Sequence, residues 1–253
     1  MLNFNNGVNG GMPTMGNMMS GAPAPMGAPA PMGAPAPMGA PAPMGAGKPA
    51  PISLSKGQKI SLSKMDPTMH HILVGLGWQT QRYTGTFDFD LDASAFLAGA
   101  NGRTDPNNFV FYGSETTDEM GRKCDPAHCV IHSGDNKVGG DGNNDDEQII
   151  IDLDKVPANI QKIAISVTIY NAVQRSQNFG MVSNAFMRIV NSDSNNEVAR
   201  FDLGEKFSTE TAVVVGEFYR YGNEWKFNPI GMGYAGGLAN ICSQYGLETE
   251  NNG

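Results

Sequence analysis

Short apolar segments separated by turn residues recur along most of this 253-residue chain. Most of them alternate apolar and polar residues with a period of two, which is the pattern of a strand with one buried face. After the last segment, Gly222–Asn223 predicts a two-residue hairpin that leads into EWKF. Many short strands of this kind predict an all-β fold, an antiparallel β-sandwich. The segments are ISLSKGQKISLSK, HILVGLGW, FDFDLDASAF, FVFYG, QIIIDL, KIAISVTIY, FMRIVN, EVARFDL and AVVVGEFYRY.

One short C-terminal helix is predicted at Ala235–Tyr245, because the next residue, Gly246, is of the type that commonly ends a helix. The preceding Gly231–Gly236 matches the pattern G-x-G-x-x-G, but the 17 residues after it are too few to complete a dinucleotide-binding β-α-β unit. These glycines therefore indicate tight packing between a strand and a helix. The helix N-terminus still offers backbone donors to an anion.

The N-terminal segment has a composition that does not favour folding. From Gly21 to Met44 the hexapeptide GAPAPM occurs four times. Its prolines lack a backbone donor, and it has no charged or β-branched residue to offset the entropy lost on ordering. We predict a disordered arm rich in Gly, Ala, Pro and Met at residues 1–51, followed by one domain at residues 52–250. A spacer is the favoured interpretation of the repeat, and a segment that docks a protein partner is the alternative.

The negative charge is concentrated in two segments. Asp135–Glu147 contains five carboxylates, three asparagines and three glycines, and Phe87–Ser94 contains three more carboxylates. The other 17 acidic residues balance the 17 lysines and arginines, so the formal charge of −8 resides in these two segments. Calcium takes about six to eight oxygen ligands of this kind, and glycine lets the chain wrap closely around the ion. Eight carboxylates exceed the needs of one calcium, which predicts two ions.

Within Phe87–Ser94, residues two apart share one face of a strand. Asp88, Asp90 and Asp92 therefore point to one side, and the alternating apolar residues point to the core. Carboxylates at this spacing repel one another unless a cation or water screens them, so a solvated strand face is the alternative to a metal site. The acidic loop is not an EF-hand, because Lys137 stands where the motif requires a ligand.

Composition also narrows the functional class. No apolar stretch is long enough to span a membrane, and the N-terminus lacks the features of a signal peptide. Three cysteines without a signal peptide favour a reducing, cytoplasmic location. The acidic balance argues against nucleic acid as a partner. No nucleophile is grouped with a base, so we expect no enzymatic activity.

A cluster of cysteine and histidine raises the question of zinc. Cys124, His128, Cys129 and His132 fall within nine residues, but their spacing matches no common zinc motif. A surface loop that carries an unstructured thiol pair is the favoured interpretation.

Several segments taken together resemble the TerD family. They are GWQTQRYTGTFDFDLDASAFLAGANG, SGDNKVGGDGNNDDE, FGMVSNAFMRIVN, EVARFDL and STETAVVVGEFYRYGNEWKFNPIGMGYAGGLANICSQYGL, within a resemblance that covers Ile52 to about Leu247. Bacterial members of the family are tellurium-resistance and general stress proteins, and relatives in slime moulds are described as cyclic-AMP-binding proteins. The resemblance implies a cytosolic calcium-binding β-sandwich with two adjacent ions and no established reaction.

The resemblance also implies a set of metal ligands, although the acidic loop is one residue longer than the family pattern. The implied ligands are Asp88, Asp90, Asp92, Asp135, Asn136, Gly139, Asp141, Asp145, Asp146 and Glu147. We therefore predict a calcium-binding stress-response or signalling protein in which the ion orders the acidic loops into a surface for a protein partner.

The alternative function is a cyclic-AMP receptor whose binding is assisted by calcium. The nucleotide phosphate needs a cation, and the candidate side chains are Arg175, Arg188, Arg200 and Arg220. Backbone donors of Gly231–Gly236 or the bound ions are further anchors. A third function, oxyanion detoxification, would need reactive thiols, and three cysteines are too few to support it.

Overall fold

The computed structural model describes residues 51–53, 60–79, 87–203 and 207–249. The predicted arm at residues 1–51 lies outside the described residues, apart from Pro51. The strands are β1 (Ile52–Ser53), β2 (Ile60–Ser61), β3 (His71–Gln79), β4 (Leu91–Ala98), β5 (Thr104–Val110), β6 (Lys123–Cys124), β7 (Val130–His132), β8 (Glu147–Asp152), β9 (Lys162–Ile169), β10 (Ser183–Asn191), β11 (Asn196–Asp202), β12 (Ala212–Tyr221) and β13 (Glu224–Tyr234). The helices are α1 (Leu62–Met65), α2 (Ala172–Arg175) and α3 (Gly237–Gln244), with a 3₁₀ turn at Phe179–Met181.

The strands form two sheets, which confirms the all-β sandwich with a short C-terminal helix. The first sheet has the order β1-β11-β10-β3-β8-β7-β6, and the second has the order β2-β13-β12-β9-β4-β5. The named strands pair antiparallel, except that β1 runs parallel to β11. The predicted hairpin is confirmed, because Tyr221 pairs with Glu224 across a turn in which Gly222 has a φ of 63°.

The main hydrophobic core lies between the two sheets. It joins Trp78 and Ile149 of the first sheet to Leu91 and Ile165 of the second, and all four side chains are fully buried. A second cluster covers the other face of the six-stranded sheet, where Phe96 packs with residues of α3. Strand β4 is therefore buried on both faces, which explains why its sequence contains so few charges.

The structure corrects the predicted strand at Phe87–Ser94. Strand β4 begins only at Leu91, because its partner β9 ends opposite that residue and leaves the preceding segment without a strand to pair with. Phe89 is buried as predicted, but Phe87 is 56% exposed and lies beside a guanidinium group instead of in the core.

Further corrections concern short elements. The segment ISLSKGQKISLSK was predicted as two strands, but only β1 and β2 of two residues each are present, in different sheets, followed by the one-turn helix α1. Strands β6 and β7 and helix α2 carry no periodic signal in the sequence. Helix α3 begins two residues later than predicted and ends one residue earlier, at Gln244. Gly246 follows the helix as predicted with a φ of 79°, and Leu247 donates back to the Cys242 carbonyl at 2.9 Å.

Strand ends position the acidic segments. Strand β4 starts where β9 ends, and β8 starts where β3 nears its end. The Phe87–Asp90 segment leads into β4 of one sheet, and the loop at residues 135–146 leads into β8 of the other. The two sheets thus bring both acidic segments to the same end of the sandwich.

Candidate metal centre

Three predicted ligands meet at this end. One carboxylate oxygen each from Asp90, Asp92 and Asp135 lies within 4.8 Å of the other two. Asp90 and Asp92 are 6% and 5% exposed, whereas Asp135 is exposed. The two acidic segments thus combine into one cluster, which we call the carboxylate cluster. Its ligand atoms are all oxygen, the donor that hard cations such as calcium prefer.

The carboxylates of the cluster repel one another when they are ionised. Burial, followed by the negative charges of Glu147, Asp90 and Asp135, raises the pKa of Asp92 to about 8. Burial also raises the pKa of Asp90, although the nearby Arg175 guanidinium opposes that shift. Asp90 Oδ1 is buried and has no hydrogen-bond partner among the described residues. A buried oxygen without a donor is costly, and a cation at this position would satisfy it.

Glu147 holds the two acidic segments together. Its fully buried carboxylate accepts a hydrogen bond from Ala93 N at 2.8 Å and another from Asn136 N at 3.1 Å. The first donor follows Asp92 and the second follows Asp135, so Glu147 fixes the backbone beside two members of the carboxylate cluster. This geometry makes Glu147 a positioning residue within the predicted set.

His132 lies behind Glu147 and is also fully buried. The Gly134 N–H donates to His132 Nδ1 at 3.2 Å, which in the neutral ring places the proton on Nε2. Nε2 faces Glu147 Oε2 at 3.4 Å. This distance is too long for a strong hydrogen bond, but the ring N–H still presents a partial positive charge to the carboxylate.

The rest of the acidic loop packs against β3. Asp145 forms a two-pronged ion pair with Arg188, with distances of 2.7 and 2.9 Å. Asp146 accepts from Trp78 N at 3.0 Å and lies within 3.4 Å of the Asn136 side-chain amide. Asp145 is therefore neutralised by an arginine, and the structure does not bring it into the carboxylate cluster.

The other predicted ligands also lie outside the carboxylate cluster. Asp88 is exposed and precedes it. Asp141 is exposed and accepts a hydrogen bond from Asn143 N in a local turn, and its hydrogen bonds with Asn143 lower its pKa. Gly139 packs on the Trp78 ring with a φ of 64°. Asn136 donates its backbone N–H to Glu147, and its side-chain amide faces Asp146.

The four predicted nucleotide-binding arginines do not converge on one site. Arg175 lies 3.7 Å from Asp90, whereas Arg188 pairs with Asp145. Arg200 stacks on Phe186, with its guanidinium carbon 3.6 Å from the ring centre. Arg220 donates to the carbonyls of Ile160 and Val156 and lies over Trp225. Each guanidinium already has protein partners, and binding of cyclic AMP stays a prediction.

The thiols are not in a surface loop, which corrects that prediction. Cys124, Cys129 and Cys242 are free and buried. Cys124 is the last residue of strand β6, and Cys129 directly precedes strand β7. Both residues are 1% exposed, although the sequence around them resembles a loop. The Cys129 thiol donates to Asp125 at 3.3 Å, and burial together with this carboxylate raises its pKa. His132 shares this segment but faces Glu147.

Aromatic residues beside the carboxylate cluster were missed by the sequence analysis. Tyr170 N donates to the Asp90 carbonyl at 2.8 Å, and the Tyr112 ring meets the Tyr170 ring edge-on at 6.2 Å. Burial, followed by the negative charge of Asp92, raises the pKa of Tyr112 to about 12. No local motif marks these residues as part of a site, although Tyr112 lies within the predicted strand FVFYG and Tyr170 is the last residue of the predicted strand KIAISVTIY.

The fold and the site together define a class of protein, a two-sheet β-sandwich that gathers carboxylates from both sheets at one end. Residues 51–245 match the TerD domain, and the chain belongs to the TerD family. This confirms the resemblance drawn from the sequence motifs. No helix among the described residues is long and apolar enough to cross a membrane.

Curated relatives match most of the domain. The uncharacterized protein YceE of Bacillus subtilis is 54% identical over 198 residues, which are 78% of this chain and 98% of that protein. General stress protein 16U of the same organism is 52% identical with the same coverage. The tellurium resistance protein TerD of Serratia marcescens is 50% identical over 78% of this chain and 97% of that protein.

A solved structure shares the fold. A crystal structure of a homologue of the telluride resistance protein TerD, from Streptomyces coelicolor A3(2), superposes with a TM-score of 0.55 at 20% identity. It covers 68% of this chain and 95% of that one.

Proposed function

We propose that this chain is a calcium-binding stress-response protein of the TerD type that acts without catalysing a reaction. The observation that supports calcium is the carboxylate cluster, in which two nearly buried aspartates and Asp135 place three oxygens within 4.8 Å. Asp90 has a buried oxygen without a hydrogen-bond partner in the described part of the chain, and the pKa of Asp92 is raised to about 8. A bound divalent cation would relieve both costs.

Calcium fits the cluster better than zinc does. Zinc in proteins favours sulfur and nitrogen ligands, and the three oxygens come from Asp90, Asp92 and Asp135 alone. His132 is held behind Glu147, and Cys129 is bonded to Asp125. Oxygen ligands are those of hard cations. Asp90, Asp92 and Asp135 are the residues that would hold the ion, and Glu147 would orient them.

The number of ions remains part of the proposal. The described residues bring three of the predicted carboxylates into one cluster, while Asp145 is paired with Arg188. The carboxylate cluster supports a proposal of one ion, and the second ion predicted from the sequence would depend on how the exposed carboxylates of the loop respond to the first. Calorimetric stoichiometry on the full chain measures this number directly.

The experiment that tests the proposal is a calorimetric titration of the full chain with calcium. Asp92→Asn removes a cluster oxygen's charge and is expected to weaken binding at least tenfold, because an amide is a poorer ligand than a carboxylate. Asp141→Asn is the control, since this exposed residue belongs to the acidic loop that carries Asp135 but lies outside the cluster. Equal weakening by both variants, or no binding by the unmodified chain, contradicts the proposed site.

A role in stress rests on the relatives. Proteins more than 50% identical to this chain over most of its domain include one named as a general stress protein. We assign the same broad role to this chain. Deletion of its gene should lower survival under metal or oxidative stress, and rescue by the unmodified chain but not by Asp92→Asn would connect that role to the carboxylate cluster.

A further inference from the structure

A cavity opens between strands β5 and β6 and the residues that follow helix α3. Its volume is about 420 Å³, within the range of sites that take small molecules. None of the described residues that line it is a predicted metal ligand or a predicted nucleotide-binding arginine. We call it the aromatic cavity. Its apolar lining consists of Pro106, Phe109, Phe111, Cys124, Cys242 and Leu247.

Stacked rings form one wall of the aromatic cavity. The ring centres of Phe109 and Phe111 are 4.5 Å apart, and those of Phe96 and Phe109 are also 4.5 Å apart. Tyr245 continues the stack on Phe96 at 4.6 Å. Phe96 is fully buried and Tyr245 is buried, so the hydrophobic cluster under helix α3 supports the wall from behind. Because the wall is already ordered, a ligand that packs on it loses little affinity to ordering of the protein.

Hydrogen bonds of Ser114 fix the loop at residues 111–116, which forms another part of the cavity. The Ser114 hydroxyl donates to the Phe109 carbonyl at 2.9 Å and accepts a hydrogen bond from Phe111 N at 3.0 Å. Ser114 N also donates to the Phe111 carbonyl at 3.1 Å. Glu115 directly follows Ser114, so these bonds hold its backbone beside the aromatic wall.

Both charged residues that line the aromatic cavity are acidic. They are Glu115 and Glu248, and both are exposed, which places them at its opening. Among the residues that the structure describes, neither carboxylate forms an ion pair. Apolar walls below two unpaired carboxylates are complementary to a ligand that carries a positive charge on an apolar body.

Within the described residues, no lysine or arginine lines the aromatic cavity. Arg122 lies nearby in the sequence, but its guanidinium is paired with Asp118 at 2.7 Å. Lys123 alternates with the cavity residue of β6, so its side chain is on the other face of that strand. Arg103 contacts the residue after helix α3 and is not part of the lining. The negative charge at the opening is therefore left for a ligand to neutralise.

We propose that the aromatic cavity binds a small organic cation, an ammonium group carried on an aromatic or other apolar body. The body packs on Phe109, Phe111 and Leu247, and the ammonium group faces Glu115 and Glu248. Aromatic rings add an attraction for a cation that is placed over them. This site is separate from the carboxylate cluster and does not depend on calcium.

Other classes of ligand fit the aromatic cavity less well. Calcium takes about six to eight oxygen ligands, and two exposed carboxylates above apolar walls do not supply them. An organic anion would be repelled by both glutamates. A neutral apolar molecule would fill the walls but would leave both carboxylates without a partner.

The test is a calorimetric titration of the full chain with three probes of similar size and different charge. They are benzylamine, which is a cation at neutral pH, benzyl alcohol, which is neutral, and benzoate, which is an anion. We expect benzylamine to bind about fivefold more tightly than benzyl alcohol and benzoate to bind weakest. Added salt should reduce the advantage of benzylamine, because it screens exposed charges.

Variants of the two glutamates test the source of the charge preference. Glu115→Gln combined with Glu248→Gln should weaken benzylamine binding about fivefold and leave benzyl alcohol binding unchanged. The matched control is Glu119→Gln combined with Glu224→Gln, which removes the same charge from two exposed glutamates outside the cavity lining. This control should bind all three probes as the unmodified chain does.

A wall variant tests the location of the probe. Phe111→Leu removes one ring of the wall and should weaken the binding of benzylamine and of benzyl alcohol alike, about fivefold. Its melting temperature shows whether the variant folds. The glutamate variants decide the proposal if it does not, because both glutamates are exposed and contribute little to the fold.

Each contrary outcome overturns the proposal. Equal affinity for benzylamine and benzyl alcohol would show a cavity for neutral molecules, and an equal loss in the control variant would show a general attraction to an acidic chain. Competition between benzylamine and calcium would place the probe at the carboxylate cluster instead. Absence of benzylamine binding at millimolar concentration would also overturn it, and the proposed function would still stand.

Discussion

At the scale of single residues, Asp92 affects both the stability of the metal-free fold and the proposed binding of calcium. It is 5% exposed, and burial and three neighbouring carboxylates raise its pKa to about 8. In the metal-free protein the folded state therefore keeps a proton on Asp92 at pH values where the unfolded chain has lost it. Calcium needs the ionised carboxylate, so proton and ion compete for the same oxygen atoms.

This competition predicts a pH dependence. The folded state binds more protons than the unfolded state between about pH 4 and pH 8, so Asp92 lowers metal-free stability as the pH rises through that window, by at most about 1.4 kcal/mol per pH unit. Asp92→Asn should remove this slope. Chemical denaturation in chelator at pH 6 and pH 8 measures it, and a variant with an unchanged slope contradicts the shifted pKa. Calcium affinity of the unmodified chain should rise over the same range.

The sequence predicted part of the ligand set for a definable reason. Alternation in the first acidic segment placed Asp90 and Asp92 on one face, and the density of carboxylates marked the loop that contains Asp135. The density of carboxylates does not show which of them pairs with a basic side chain from another part of the chain. Asp145 is matched by Arg188, 43 residues away, and only the pairing of β3 with β8 and β10 brings the two together.

At the scale of elements, two glycines in β3 make room for the acidic loop. A Cβ atom at Gly75 would lie 2.2 Å from Asp145 Oδ1, and one at Gly77 would lie 2.3 Å from the Asn144 carbonyl. The loop thus occupies space that any other residue in this strand would fill. From the sequence alone, glycines within a strand are expected to destabilise it. In the fold, their missing side chains leave the space in which the acidic loop packs.

Gly75→Ala should therefore displace Asp145 from Arg188. We expect a loss of roughly 3 kcal/mol or more in unfolding free energy, because overpacking is added to the breaking of a nearly buried ion pair. Weaker calcium binding should accompany the loss, since the loop also carries Asp135. Gly99→Ala is the control, because its added Cβ meets only an ordinary contact at 3.4 Å. Similar unfolding midpoints for the two variants in urea contradict this account.

Long elements were predicted better than short ones because they repeat their pattern. Strands β9, β10 and β12 have eight to ten residues each, so the strand pattern of apolar residues recurs several times in each. Strand β6 has two residues and β7 has three, so neither repeats anything. The start of β4 was missed for another reason, because it is set by where β9 ends and not by its own alternation.

At the scale of the whole molecule, calcium should stabilise the fold. The carboxylate cluster combines residues from both sheets, so an ion that bridges them binds the folded state and not the unfolded chain. At a hundredfold excess over the Kd, one ion contributes about 2.7 kcal/mol. The melting temperature should rise with calcium and fall on chelation, whereas Asp92→Asn should show a much smaller rise. A melting temperature that is independent of calcium contradicts the proposed function.

Removal of residues 1–51 should leave this stability unchanged. The TerD match starts at residue 51. The GAPAPM repeat lacks the β-branched and charged residues that would offset the entropy lost on folding. A chain that begins at Ile52 should melt within a few degrees of the full chain and bind calcium with the same affinity. A large drop in the melting temperature would mean that the arm packs on the domain.

The burial of all three thiols has a practical consequence. Burial raises the pKa of Cys124 and Cys129, and that of Cys242 to about 11, so the reactive thiolate is scarce at neutral pH. A maleimide should therefore react slowly with the native chain. A single introduced thiol, as in Val173→Cys or Tyr221→Cys, would be the one that is labelled quickly. A fluorophore or spin label can then be attached to either end of the sandwich while the natural cysteines stay in place.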